Sequence, residues 1–158
     1  MLTITTPREP QEWDAVRDIL REYATTLDVD LCFQGFDGEL VALPGEYAGP
    51  RGALLTAIAD KTLAGCGALR PLDNVDYPNA CEMKRLFVRP QFRAMGIGRM
   101  LAEAVLDAAR QAGYACVLLD TLSDMETARA LYRDLGFEEI PPYYHNPFAG
   151  SHYLKAKL

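Results

Sequence analysis

The sequence predicts an α+β chain, a mixed sheet with helices packed on it, and three observations carry that expectation. "GALLTAIADKTLAGCGALRPL" reads as two strands turning at Asp60–Lys61. Two later runs carry apolar residues at helical spacing and stop at Gly113 and Gly136, each suited to a left-handed cap. Between them "ACVLLDTL" is a continuous apolar run of the length expected for a strand covered on both faces. Hairpins come first and crossover helices later, the order expected of a mixed sheet.

The remaining elements follow along the chain. "LTIT" alternates as a short strand, after which Thr6 as N-cap, Pro7 at the first helical position and Glu9 closing a capping box predict a helix over 8–26. Trp13, Val16, Leu20 and Tyr23 mark its inner face. Residues 28–50 are rich in Gly and Pro and weakly periodic, and suit a shaped loop with one short helix. "ACEMKRLFV" is a third strand ended by Pro90. In the next helix Ile97, Leu101, Ala104, Val105, Ala108 and Ala112 form the apolar face. "SDME" opens another through Leu135, with Met125, Ala128, Leu131, Tyr132 and Leu135 inward, and "HYLKAKL" closes the chain as a strand.

With 158 residues, 49% hydrophobic and 24% charged, the chain suits one globular domain spanning 1–158. No basic leader precedes an apolar stretch and no run approaches the ~20 residues of a bilayer span, so a cytoplasmic protein without membrane partner is expected. Cys32, Cys66, Cys81 and Cys116 form no CxxC pair and only two histidines are present, which argues for reduced core thiols and no metal site. A net charge of −6 argues against nucleic acid as a partner. Locally the balance reverses: Met83 to Ala102 holds no Asp or Glu but contains Lys84, Arg85, Arg89, Arg93 and Arg99, either a solvated basic face or a site for a small anion.

"RAMGIGRMLAEAV" places Gly96 and Gly98 directly before the second amphipathic run. A helix N-terminus offers about four unpaired N–H groups and roughly half a positive charge, and phosphate oxygens satisfy both. Glycine at both positions lets a diphosphate approach, and Arg93 and Arg99 can add charge-assisted contacts; a tight turn against a sheet is the plainer alternative. A P-loop is excluded, because Gly98-Arg99-Met100 stands where Gly-Lys-Ser/Thr is needed. An NAD(P)-binding dinucleotide fold has Asp120 at a fitting distance, but Leu101 replaces its third glycine and "RPQFRAM" replaces its tight turn.

Taken together, "LFVRPQFRAMGIGRML" and "ALYRDLGF" resemble the GNAT superfamily of N-acetyltransferases. Arg93-Ala94-Met95-Gly96-Ile97-Gly98 matches the family's Arg/Gln-x-x-Gly-x-Gly/Ala loop, and Leu131-Tyr132 with Gly136-Phe137 matches its later helix. The resemblance implies the acyl-CoA N-acyltransferase fold, a central, mostly antiparallel sheet splayed open around acetyl-CoA. Backbone groups of Leu86, Phe87 and Val88 would pair with the pantetheine arm, and those of Ala94, Met95, Gly96, Ile97, Gly98 and Arg99 would hold the pyrophosphate. Met125 stands where many relatives have a cofactor-contacting Asn.

The implied activity is acetyl transfer from acetyl-CoA to a primary amine of a small molecule, by direct attack in a ternary complex. A CoA-binding sensor or interaction domain of the same fold is the alternative, and a homodimer is compatible with either. The reaction needs a neutral amine, a stabilised oxyanion and a proton for the departing thiolate. Glu82, six residues before Val88, is the base candidate or else an outward strand carboxylate paired with Lys or Arg; Lys84, on the same face by alternation, can hold it ionised. Tyr132 is the acid candidate or else a core aromatic, since a phenol near ~10 can donate to a thiolate near ~8.5. The N–H of Val88 is the oxyanion donor candidate. Phe33, Phe36, Tyr47, Tyr143, Tyr144 and His145 either wall an acceptor pocket or pack loops on the sheet, and His145 is a second base candidate.

Overall fold

The structure is a computed structural model of the chain and describes residues 1–27, 35–122, 126–144 and 150–158. Its strands are β1 (Leu2–Thr5), β2 (Ala53–Ala59), β3 (Thr62–Leu72), β4 (Ala80–Val88), β5 (Cys116–Leu122), β6 (Glu138–Ile140) and β7 (Ser151–Lys157). Its helices are α1 (Pro10–Thr26), α2 (Phe36–Ala42), α3 (Ile97–Gln111) and α4 (Glu126–Asp134). The strands form one sheet in the order β1-β2-β3-β4-β5-β7-β6. The architecture is α+β, with α3 and α4 on one face of the sheet and α1 and α2 on the other.

Asp60 and Lys61, at φ 48° and 71°, make the tight turn between β2 and β3 expected at that pair. The start of α1 differs from expectation. Glu9 is the N-cap, its capping box closes with Glu12, and Pro10 rather than Pro7 begins the helix. The same acid–proline grammar occurs twice within four residues, and the later copy wins. On α3 the inner face is rotated: Ala102, Leu106 and Ala109 are buried with Ile97, Leu101 and Val105, whereas Ala104 and Ala108 are half-buried and Ala112 is exposed. The helix lies between β3, β4 and β5, so its apolar stripe is wider than one i, i+4 row. The short strand β6 has no alternation to announce it and is held by pairing to β7. The "SDME" cap and Met125 lie outside the described residues.

Every strand pairing is antiparallel except that of β4 with β5. That parallel pair is short, comprising Ala80–Cys116, Cys81–Val117 and Glu82–Leu118. Beyond it β4 stays with β3 as far as Val88, and β5 stays with β7 as far as Leu122. The two strands therefore diverge, and the sheet opens in a wedge toward their carboxyl ends. Cys66, Cys81 and Cys116 are buried free thiols, and burial pushes the first two up to about 12. No helix among the described residues is long and apolar enough to cross a membrane.

Candidate active site

The wedge is lined on one side by the last residues of β4. Between Lys84 and Phe87 the strand carries one residue more than β3, so its register shifts against Ala68 and Cys66, and Arg85 adopts φ 60°. Past this bulge the Arg89 N–H donates to the Ala64 carbonyl. Antiparallel alternation then gives Phe87 to β3, paired with Cys66, and turns the N–H and C=O of Leu86 and Val88 into the wedge. The Val88 carbonyl accepts from Arg93 Nε at 3.1 Å, as that orientation requires. Of the three residues expected to offer main-chain groups to a ligand, Phe87 is thus committed to its own sheet.

From Val88 the chain makes a short helical turn at Pro90–Phe92 and reaches α3 through Ala94 at φ 66° and Gly96 at φ 78°. Gly96 is the N-cap, with no side chain capping it and no acid in the first turn. The α3 N-terminus thus keeps its positive potential. A Cβ on Gly96 would meet open space, so the left-handed φ is what demands glycine there. A Cβ on Gly98 would touch Val88 Cγ2 at 3.7 Å and Leu131 Cδ2 at 4.0 Å, ordinary contacts that make no such demand. The Arg93 guanidinium lies 5.9 Å from the Phe87 ring centroid, and Arg99 pairs with Asp134 on α4 at 3.0 Å. Met95 is exposed and Ile97 is buried beneath the loop.

Tyr132 comes from α4 on the far wall, buried, with its ring edge on Phe137. Burial pushes its phenol well above the ordinary value, with the charges of Tyr23 on α1 and Asp120 on β5 adding to the effect.

On the α1–α2 face the wedge meets a cavity of about 390 Å³ lined by Glu39, Glu46, Tyr47, Arg70, Glu82, Lys84 and Tyr144, with small residues from 35–45. Glu82 is its floor, 1% exposed. Its Oε1 accepts from Arg70 Nε at 2.6 Å, with Lys84 Nζ 3.9 Å away, and its Oε2 accepts from the Tyr143 hydroxyl at 2.6 Å. Burial opposes its ionisation, but the charges of Lys84 and Arg70 and the two hydrogen bonds outweigh that and hold the carboxyl below its ordinary range. Burial also lowers Lys84, with Glu82 pulling the other way. Tyr144, next in the chain, donates to Asp120 Oδ2 at 2.6 Å, and both Tyr143 and Tyr144 pack on Tyr153.

Behind the cavity Arg85 forms a two-pronged pair with Glu39 at 2.9 Å on each side, under the Phe36 ring at 5.1 Å. Tyr47 is buried beside Glu39 and the half-buried Tyr23 lies beside Arg85, both phenols raised foremost by desolvation. The bulge thereby ties the wedge to α2. Of the expected site residues, the structure brings together Glu82, Lys84, Tyr143 and Tyr144 around one cavity, with Tyr47 in its lining and Phe36 behind it. Phe33 and His145 lie outside the described residues. Sequence reasoning missed Glu39 and Arg70, took Arg85 only as part of a basic island, and weighed Asp120 only as a ribose ligand. Arg70 stands directly opposite Glu82 in the β3–β4 ladder, a register that the sequence does not spell out.

A sheet opened at one parallel pair, with an uncapped helix N-terminus at the end of the open strand, narrows the comparison. The profile of the Acetyltransferase (GNAT) family matches residues 13–137. The chain belongs to the GNAT family of acetyltransferases. It is 34% identical to an uncharacterised N-acetyltransferase of Schizosaccharomyces pombe over 158 aligned residues, covering 99% of this chain and 95% of the relative. Among solved structures, an acetyltransferase from Streptococcus agalactiae superposes with TM-score 0.79 at 21% identity, over 99% of this chain and 98% of its own. The acetyltransferase yncA of Salmonella typhimurium, solved with its cofactor acetyl-CoA, gives 0.75 at 17% identity over 99% and 94%. This GNAT chain is an acyltransferase enzyme, and its fold is that of the family.

Proposed function

We propose that the protein transfers the acetyl group of acetyl-CoA to the primary amine of a small molecule. The observation that carries this reading is the continuity of the wedge: the main-chain groups of Leu86 and the N–H of Val88, which face it, lead straight to the uncapped N-terminus of α3. Pantetheine is an amide chain and can extend the sheet at β4, and a pyrophosphate suits a dipole end ringed by Ala94, Met95, Gly96, Ile97, Gly98 and Arg99. Gly98 supports the same view, because nothing within the protein forbids a side chain there and a close-lying ligand would. Arg93 and Arg99 flank this end and can add charge-assisted contacts, Arg99 on leaving its exposed pair with Asp134. The acetyl-CoA complex of yncA adds a relative of this fold with that cosubstrate.

With the thioester in the wedge, the Val88 N–H is oriented to stabilise the tetrahedral oxyanion. Tyr132, kept protonated by burial, donates its proton to the leaving sulfur. The acceptor enters from the charged cavity of about 390 Å³, a size and polarity that favour a compact amine. Thiol release from acetyl-CoA, followed with a panel of small primary amines, tests the reading. Amine-dependent release with one acetamide formed per thiol is expected. Failure of calorimetry to register CoA or acetyl-CoA binding at millimolar concentration would overturn it.

A further inference from the structure

We propose that Tyr144, backed by Asp120, takes the proton that the acceptor amine loses, an inference that rests on the amine acetylation proposed above. Three carboxylates line the acceptor cavity and Asp120 adjoins it; Glu39 is paired with Arg85 and Glu46 with Arg70, and the surroundings of Glu82 and Asp120 suit those two to different tasks.

Glu82 is fully engaged. Arg70 and Tyr143 occupy its two oxygens at 2.6 Å, Lys84 adds a third contact, and 1% exposure leaves it little surface toward the cavity it lines. Proton uptake there would cost two charge-assisted hydrogen bonds. Glu82 therefore anchors the cavity floor by holding Arg70 on β3 and Tyr143 after β6.

Asp120 occupies the junction between cavity and wedge. It lies two residues past Leu118, the last β5 residue paired with β4, and so shares a face with Glu82 and Lys84 where the strands part. Tyr144 lines the cavity and donates to Asp120 Oδ2 at 2.6 Å. On the wedge side β5 runs on past its last pair with β4, as does the open end of β4. One carboxylate thus communicates with the acceptor through Tyr144 and stands where the gap opens.

The step balances. The amine nitrogen bonds to the acetyl carbon as the carbonyl π pair moves to oxygen near the Val88 N–H. The N–H proton passes to Tyr144 Oη while the Tyr144 proton passes to Asp120 Oδ2. The pair then returns, the C–S bond breaks, and the thiolate takes the Tyr132 proton. Solvent carries the proton from Asp120 back to the Tyr132 phenolate, so the nitrogen has lost one proton and the sulfur has gained one. In these terms Tyr144 is the catalytic residue and Asp120 the positioning residue behind it.

Asp120→Asn and Tyr144→Phe test this in the full chain, with Asp120→Glu as the conservative variant. The titratable groups around Asp120 are Glu82 and Lys84 from β4, Tyr23 from α1, Tyr132 from α4, Tyr143 and Tyr144 from the segment after β6, and Tyr153 from β7. All of them remain in Asp120→Asn, so a changed pH profile reports the carboxylate itself. At saturating amine, kcat of Asp120→Asn should fall roughly 10²–10⁴-fold, with CoA affinity unchanged. Its residual rate should climb about tenfold per pH unit where the wild-type rate has levelled, as hydroxide replaces the missing acceptor. Asp120→Glu should recover much of the loss, and Tyr144→Phe should fall in kcat in the same direction. A kcat within about threefold of wild type in both Asp120→Asn and Tyr144→Phe refutes the relay, as does a loss confined to KM with an unaltered pH profile. Should Asp120→Asn fail to fold, Tyr144→Phe decides alone. A wild-type enzyme that acetylates no amine sinks the parent reading instead, a result these variants cannot produce.

Discussion

Replacing Glu39 with alanine tests whether the open end of β4 and the cavity lined by Glu82 are mechanically one unit. Glu39 sends both oxygens to Arg85, each at 2.9 Å, and the guanidinium side chain is only 3% exposed. Its loss leaves a cation buried under Phe36 without a counter-charge, which for a buried pair costs about 3–5 kcal/mol. Glu39 keeps 17% exposure, so water can partly replace it, and the lower end, about 3 kcal/mol, is expected. For a chain of this size that corresponds to a melting midpoint lower by about 6–12 °C. Urea unfolding of Glu39→Ala, Arg85→Ala and the double variant separates the pair from its surroundings, with a coupling of about 1–3 kcal/mol expected. The KM for the amine should rise as well, because α2 supplies one wall of the cavity. A Glu39→Ala protein within about 0.5 kcal/mol of wild type, or a cycle with no coupling, would refute the reasoning.

Tyr132→Phe should lower kcat roughly 10²–10⁴-fold at unchanged CoA affinity, and a near-normal rate would remove its hydroxyl from the mechanism. Gly65→Ala places a Cβ 2.7 Å from the Phe87 carbonyl and 3.1 Å from Leu101 Cδ1. Overpacking of that kind costs about 1–3 kcal/mol in urea unfolding, and calorimetry should find CoA bound more weakly because β4 is pushed aside. Glu82, held below its ordinary 4.5, contributes stability that is present above that value and lost as pH falls through the depressed one. Glu82→Gln should therefore flatten the decline of unfolding free energy below about pH 4.5, and an unchanged slope would exclude Glu82 as a source of acid sensitivity.

Much of the frame was legible because local chemistry decides it. The turn at Asp60–Lys61, the glycine before α3 and the continuous apolar run of β5 are each written within a few residues. The site was less legible, because it is assembled by register. Arg70 and Glu82 are twelve positions apart and meet only because β3 and β4 pair as they do. Asp120 acquires its setting from a parallel pair that ends at Leu118, and nothing in "VLLDTL" records where a neighbouring strand departs. Glu39 sits in an aperiodic stretch whose partner is a bulge, and one extra residue in a strand leaves no mark in alternation strong enough to find. The misplaced start of α1 has a different origin, two overlapping caps of which the one that closes its box between Glu9 and Glu12 begins the helix.

The seam between the two halves of the sheet consists of three residue pairs, Ala80–Cys116 to Glu82–Leu118. So short a stitch leaves the angle between the two sub-sheets to be held also by the core beneath α3 and α4, which runs from Leu69 and Met83 to Leu119 and Leu154. A cosubstrate laid along β4 supplies the missing rungs and stiffens that angle, so saturation should register as slowed amide hydrogen exchange on both flanks at once. Catalytic alignment and fold stability then draw on the same few hydrogen bonds.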